Sequence, residues 1–288
     1  MSFFAALTSS GASTGAEKVA EHIPNPIAPV LFHLGPVGIS GSMIVMVIVA
    51  AVLIGFAQVV TRSATLIPCG LQNFAEWVIE SLYNFLGDIL GPQLVKATFW
   101  FFASLFIFIL SLNWFGLLPG VATVGYGVGP DPLHLEITHP FLRGANADLN
   151  LPVALSLLFF GLWIYWAVKF NGPVGVAKHI FGSKADFPGI VGVLMAIVFF
   201  AVGILELVSF LIRPIALSFR LYGNVYGGEV MIDSMMNLIH SPFLRWLAPT
   251  PFYFYELLVG LVQALVFCLL CAVFTAMMCR HEEGESHH

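Results

Sequence analysis

VGVLMAIVFFAVGILELVSFLIRPIALSFRLYGNVYGGEVMI, residues 191–232, decides the architecture of this chain. It is apolar over most of its length. With its flanks, the apolar run extends from about 188 to 239 and is interrupted by Pro214. A helix of that length would be about 75 Å long at 1.5 Å per residue, against a hydrocarbon core of about 30 Å. The run is therefore either two upright spans or one long, strongly tilted and kinked helix. Two arginines are set in it, Arg213 and Arg220. A guanidinium at the centre of a bilayer costs roughly 2.5–3.5 kcal/mol even on lenient insertion scales, and it does not escape by losing its proton. A chain that keeps such a residue uses it.

The rest of the composition agrees with a membrane protein. Of 288 residues, 59% are hydrophobic and 9% are charged, where a soluble domain carries about 25% charged residues. The length suits five or six helical spans of about 20 residues each. Sixteen acids against eleven bases leave a formal net charge of −5, with no basic stripe or cluster for nucleic acid. Three of the four cysteines (Cys268, Cys271 and Cys279, but not Cys69) lie on or at the end of the last apolar run, so a disulfide framework is not expected. The CLLC pair has metal-motif spacing, but no second pair or nearby histidine completes a site, and packing explains it better. No metal site is expected.

Outward from the long run, the chain divides as follows. Residues 1–38 read as a polar N-terminal segment with no basic stretch ahead of a long apolar core, and so as a tail rather than a cleaved signal. A transmembrane helical domain covers 39–280, and 281–288 form a polar tail. Within the domain the first span is about 39–60. The segment 71–90, LQNFAEWVIESLYNFLGDIL, places Glu76, Glu80 and Asp88 at helical spacing opposite its apolar residues, the pattern of an amphipathic helix at the membrane surface or packed on other spans. Spans follow at about 97–118, 150–168 and 252–278. The fold expected is all-α and integral to the membrane, with about five crossings.

Charge orients it. With 188–239 as one crossing, Arg62, Lys96, Lys169, Lys178, Lys184 and Arg280 share one side, and Lys18, Arg143 and Arg245 the other. The excess of basic residues marks the cytoplasmic side, which puts the N-terminus outside and the C-terminus inside. Two crossings in 188–239 would leave this balance unchanged.

Once loop charges are removed, Glu206, Arg213, Arg220, Glu229, Asp233 and Glu256 remain in apolar surroundings, with Ser209, Asn224 and Gln263 as polar companions. At 100° per residue, Glu206, Ser209, Arg213, Ala216, Arg220, Asn224 and Gly227 lie within about 40° of one line, and Glu229 and Asp233 lie on the opposite side. One helix thus carries two polar faces, one cationic at its centre and one acidic. Glu256, Gly260 and Gln263 share a face of the last helix. Gly223, Gly227, Gly228 and Gly260 would let another helix approach closely. Simple pairing with an acid suits Arg213, next to Pro214. Arg220, flanked by Asn224 and glycines, reads as functional. Glu229 and Glu256 read as acids of a proton path, able to approach each other if the two helices form an antiparallel hairpin. Glu206 and Asp233 fit a path or a structural bond equally.

RPIALSFRLYGNVYGGE (213–229), with NWFGLLPG (113–120), ADLNLPVALSL (147–157) and ELLVGLVQALVF (256–267) in the same order, resembles subunit a of the rotary F-type ATP synthase. The likeness covers roughly 110–270 and implies a long tilted helical hairpin over 188–279, which favours 188–239 as one crossing. It implies a non-catalytic, ion-translocating stator subunit that forms two offset half-channels. Arg220 would be the essential arginine facing the ring of c subunits, with Asn224 and Gln263 as its polar neighbours. Glu229 and Glu256 would belong to an aqueous half-channel, and Glu206, Ser209 and Asp233 to the polar path. Ala216, Gly223 and Gly227 would be small residues facing the ring. The resemblance implies as partners the c ring, the peripheral-stalk b subunits, the whole ATP synthase complex and the lipid bilayer, with no nucleic acid. It implies no cofactor, and no GxxxxGK[ST] loop offers a nucleotide site. The membrane would be a bacterial plasma membrane, in preference to an organelle inner membrane. The sequence departs from the family pattern in carrying two acids, Glu229 and Glu256, where one acid and one histidine are common, and Ala216 where serine is frequent. The rival reading is a secondary proton or sodium antiporter, which also sets acids and an arginine at midplane. The paired repeats of broken helices that it requires are not found.

Overall fold

The computed structural model describes residues 30–34, 37–62, 65, 67–68, 70–118, 121, 125–127, 137–140, 142–181, 190–238 and 247–279. Six long helices make up most of them: α1 Gly41–Arg62, α2 Leu71–Leu90, α3 Pro92–Gly116, α4 Asn150–Phe181, α5 Ile190–Leu238 and α6 Thr250–Cys279. All but α2 are long and apolar enough to cross a membrane, making five candidate spans. Helices satisfy their own backbone groups, which lipid cannot. Two short antiparallel hairpins lie outside the spans: β1 Val30–Leu34 with β2 Val37–Ser40, and β3 Gly125–Gly127 with β4 Ile137–Pro140. A 3-10 turn, Ala145–Ala147, precedes α4. The expected C-terminal tail, most of the N-terminal segment, and Cys69, Lys184, Arg245 and Arg280 lie outside the described residues.

The amphipathic helix occupies the expected 71–90. Gly91, at φ 82°, donates its N–H to the Gly87 carbonyl at 2.8 Å and ends α2, and Pro92 opens α3 directly after it. Positive φ suits glycine, and proline fits the first helical position because the N–H it lacks would have had no partner there. The third span runs longer than 150–168. Its apolar part extends to Val176, and the break comes at Gly172–Pro173, where Gly172 has φ 71°.

The long run is one helix. α5 continues for 49 residues with Pro214 inside it, and its apolar part is a single candidate span, Ile197–Met236. Proline removes one helical hydrogen bond, a loss that neighbouring helices and hydroxyl groups can offset in a membrane. Beyond the proline, Ser218 Oγ lies 2.7 Å from the Pro214 carbonyl and 2.8 Å from Ser156 Oγ, which ties this part of α5 to α4.

The core is a layer of large side chains between α3, α4, α5 and α6. Phe102 and Ile109 meet Phe159, Trp163 and Trp166, then Leu217, Leu221 and Phe267, all buried. Cys268 and Cys271 are buried in the same cluster, as packing residues. α2 adds Leu86 and Leu90 to it, while Phe74, Trp77 and Ile79 stay exposed. α1 attaches through Val45 and Val49 against Leu112 and Ala145.

Candidate functional site

The two polar faces of α5 meet different surroundings. On the first, Ser209, Ala216, Arg220, Gly223, Asn224 and Gly227 are exposed, so this chain leaves a strip of small and polar residues uncovered. Among the described residues no carboxylate reaches Arg220. A side-chain carbon added at Gly223 or Gly227 would meet nothing within 4 Å. Arg213 leaves this strip. Its guanidinium lies 4.6 Å from the ring centre of Phe210 and 4.2 Å from that of Phe274, which places the charge over two aromatic faces. Glu206, half-buried, is the nearby acid for Arg213, and the two rings add to its surroundings.

At the edge of the strip, Asn224 Nδ2 donates to Gln263 Oε1 of α6 at 2.7 Å. Gln263 is buried, and its Nε2 has no partner among the described residues. Gly260 and Glu256 lie on the same face of α6 and are also buried. Gly260 brings α6 against α3: an added Cβ would stand 3.1 Å from the Asn113 Cβ, and the Gly260 carbonyl accepts from Asn113 Nδ2 at 3.0 Å. Asn146 Nδ2 in turn donates to Asn113 Oδ1 at 2.7 Å.

The acidic face of α5 turns inward, toward the segment before α4. Glu229 Oε2 accepts from Arg143 Nη2 at 3.3 Å. Asp233, half-buried, is one turn further along α5. Glu256 reaches Gly228, the residue next to Glu229 in α5. The Glu256 carboxyl packs directly on Gly228, in space that a side chain there would fill. A second polar chain borders this region: Ser42 Oγ donates to Asp148 Oδ2 at 2.7 Å, and Asp148 Oδ1 accepts from the Asn150 backbone N–H and Nδ2 at 3.2 and 3.0 Å.

Three residues of this region escaped the sequence reading: Arg143, Asn113 and Asn146. Arg143 is read there as a loop charge that helps set orientation, whereas it is 3% exposed and tied to Glu229. Asn113 opens the motif NWFGLLPG, and Asn146 directly precedes ADLN. A polar residue inside or beside a motif was the available signal for the two asparagines.

A bundle of five spanning helices with polar faces buried between them is a multi-pass membrane protein. The family model for the ATP synthase A chain matches residues 43–276. The subunit a of ATP synthase from Gloeobacter violaceus is 31% identical over 259 residues, covering 89% of this chain and 90% of that protein. The subunits a of Protochlamydia amoebophila and Moorella thermoacetica are each 29% identical, over 85% of this chain and 82% and 94% of their own lengths. The chain belongs to the ATP synthase A chain family: it is a membrane-sector subunit of a rotary ATP synthase.

Proposed function

We propose that this chain is the stator against which a ring of c subunits turns, with Arg220 facing the ring and two offset half-channels carrying protons to and from it. The observation that carries the reading is the exposed strip on α5. A permanent cation stands there between Gly223, Asn224 and Gly227, with no carboxylate partner among the described residues. In an apolar medium such a charge is costly unless another chain supplies the counter-ion. A carboxyl group on a passing ring subunit meets that need. Neutral, it crosses lipid at little cost; beside Arg220 its ionised form is favoured and its proton leaves.

Glu229 and Glu256, with Asn224, Gln263 and Asp233, line the outer half-channel. Glu206 and Ser209 belong to the polar lining near it. The fixed charge of Arg220 blocks direct hopping between the two half-channels, so ions travel round on the ring. Each charge is driven by about 2.3 kcal/mol per 100 mV of membrane potential. The strip of small residues, Ala216, Gly223 and Gly227, admits the ring helix closely. The peripheral-stalk b subunits hold the chain still. The membrane is a bacterial plasma membrane, with the N-terminus outside and the C-terminus cytoplasmic, following the distribution of basic residues.

Purification of the chain with its complex, followed by ATP-driven proton pumping in vesicles, tests this reading. The Arg220→Ala complex should assemble with its c ring and fail to pump. Normal pumping by that complex, or ion exchange by the chain reconstituted alone, would overturn it.

A further inference from the structure

We infer that Arg143 is a positioning residue of the ion path: its buried guanidinium holds the Glu229 carboxylate in place, which leaves Glu256 as the acid that exchanges protons there. This rests on the reading that Glu229 and Glu256 line a half-channel.

The two acids stand in different settings. Glu229 is in an ion pair with a cation that is almost wholly buried. To take up a proton, it would give up this ion pair with a buried guanidinium, which is unfavourable. Glu256 is buried against Gly228, and no hydrogen bond or ion pair reaches its carboxyl among the described residues. It can gain or lose a proton without breaking an ion pair. Asp233, Tyr222 and Asp148 are the other titratable groups near this pair.

The backbone that carries Arg143 is itself held. The Ala147 N–H donates to the Gly144 carbonyl at 3.1 Å, and Asn146 is tied to Asn113 of α3. Asp148 is fixed by Ser42 of α1 and by Asn150. A guanidinium on such a support defines where the Glu229 carboxylate stands, as a group on a rigid element must. Glu229 is on the side of α5 away from Arg220, so Arg143 acts on the path without standing in the strip that Arg220 occupies.

The test is ATP-driven proton pumping by the assembled complex in inverted vesicles, with the amount of assembled complex measured for each variant. Arg143→Gln should lower pumping about tenfold, since it removes the cation paired with the half-buried Glu229 carboxylate. Arg143→Lys, which keeps the charge, should recover most of that loss. The double variant Arg143→Gln/Glu229→Gln, which removes both charges, should pump at least as well as Glu229→Gln alone. Glu256→Gln should be more damaging than Glu229→Gln. Losses that multiply in the double variant, unchanged pumping in Arg143→Gln, or a more severe Glu229→Gln would each overturn the inference. If Arg143→Gln fails to assemble, recovery of assembly and pumping in the double variant supports it, and continued absence overturns it. Arg220→Ala serves as the separate control: normal pumping there defeats the stator reading itself, whereas failure confined to the Arg143 series defeats only this inference.

Discussion

Glu256 of α6 presses its carboxyl group onto Gly228 of α5, so the two helices touch where one residue has no side chain. The contact sets Glu256 against the residue that precedes Glu229. It makes Gly228 sensitive in a way that its neighbours on the exposed strip are not. Gly228→Ala forces either the carboxyl or the helix to move, and overpacking of this kind costs about 1–3 kcal/mol. Thermal unfolding of the purified complex should show subunit a released at lower temperature, and pumping should fall. Unchanged stability and pumping would mean that the contact is loose.

Gly227 supplies the contrast. A side chain there meets nothing within 4 Å in this chain, so Gly227→Leu should leave the subunit folded and inserted at wild-type levels. Coupling should nevertheless be impaired if a ring helix runs along the strip. Expression, assembly and ATP synthesis measured together give the answer, and wild-type synthesis rates would show that the strip faces elsewhere.

Arg220→Lys keeps a positive charge but loses the planar, permanently ionised fork. ATP synthesis should be nearly abolished, and Arg220→Ala should abolish it. Proton leak through the membrane sector should rise in Arg220→Ala, because the fixed charge between the half-channels is gone. Dye-quench measurements of vesicles with the catalytic sector inhibited would detect that leak, and a tight membrane would argue against two half-channels meeting at Arg220.

The bond between Asn224 and Gln263 joins the strip to the buried face of α6. Breaking it from either side, with Asn224→Ala or Gln263→Ala, should cost about 1 kcal/mol of stability. The double variant should cost less than the sum, since the two residues share one interaction. Strict additivity in the unfolding midpoints would mean that the bond contributes little.

Cysteines placed singly at 229 and 256, in a background without the native cysteines, should react with water-soluble thiol reagents added from the outer side. Glu256→Gln and Glu229→Gln should slow transport less than Arg220→Ala does. Labelling only from the inner side would reverse the assignment of the half-channels, and no labelling at either position would make these acids structural.

The sequence alone was enough for the class of fold, for the amphipathic helix at 71–90, and for the two polar faces of residues 206–233. Each of these is a local, periodic property. Side chains three and four residues apart lie on one face of a helix, so apolar run length and spacing carry the information directly. Whether 188–239 was one helix or two was not legible in this way, because a proline inside a membrane helix breaks it or is tolerated according to its neighbours. The hydroxyl of Ser218, packed on Ser156 of another helix, belongs to the surroundings in which α5 continues past Pro214. The Arg143–Glu229 pair is equally beyond periodicity. Its members are 86 residues apart, and one lies in a connecting segment that reads as ordinary loop. The contacts of Glu256 with Gly228, and of Asn113 with Gly260, are set by how close two helix backbones come. That distance follows from packing between helices, which only the tertiary structure decides.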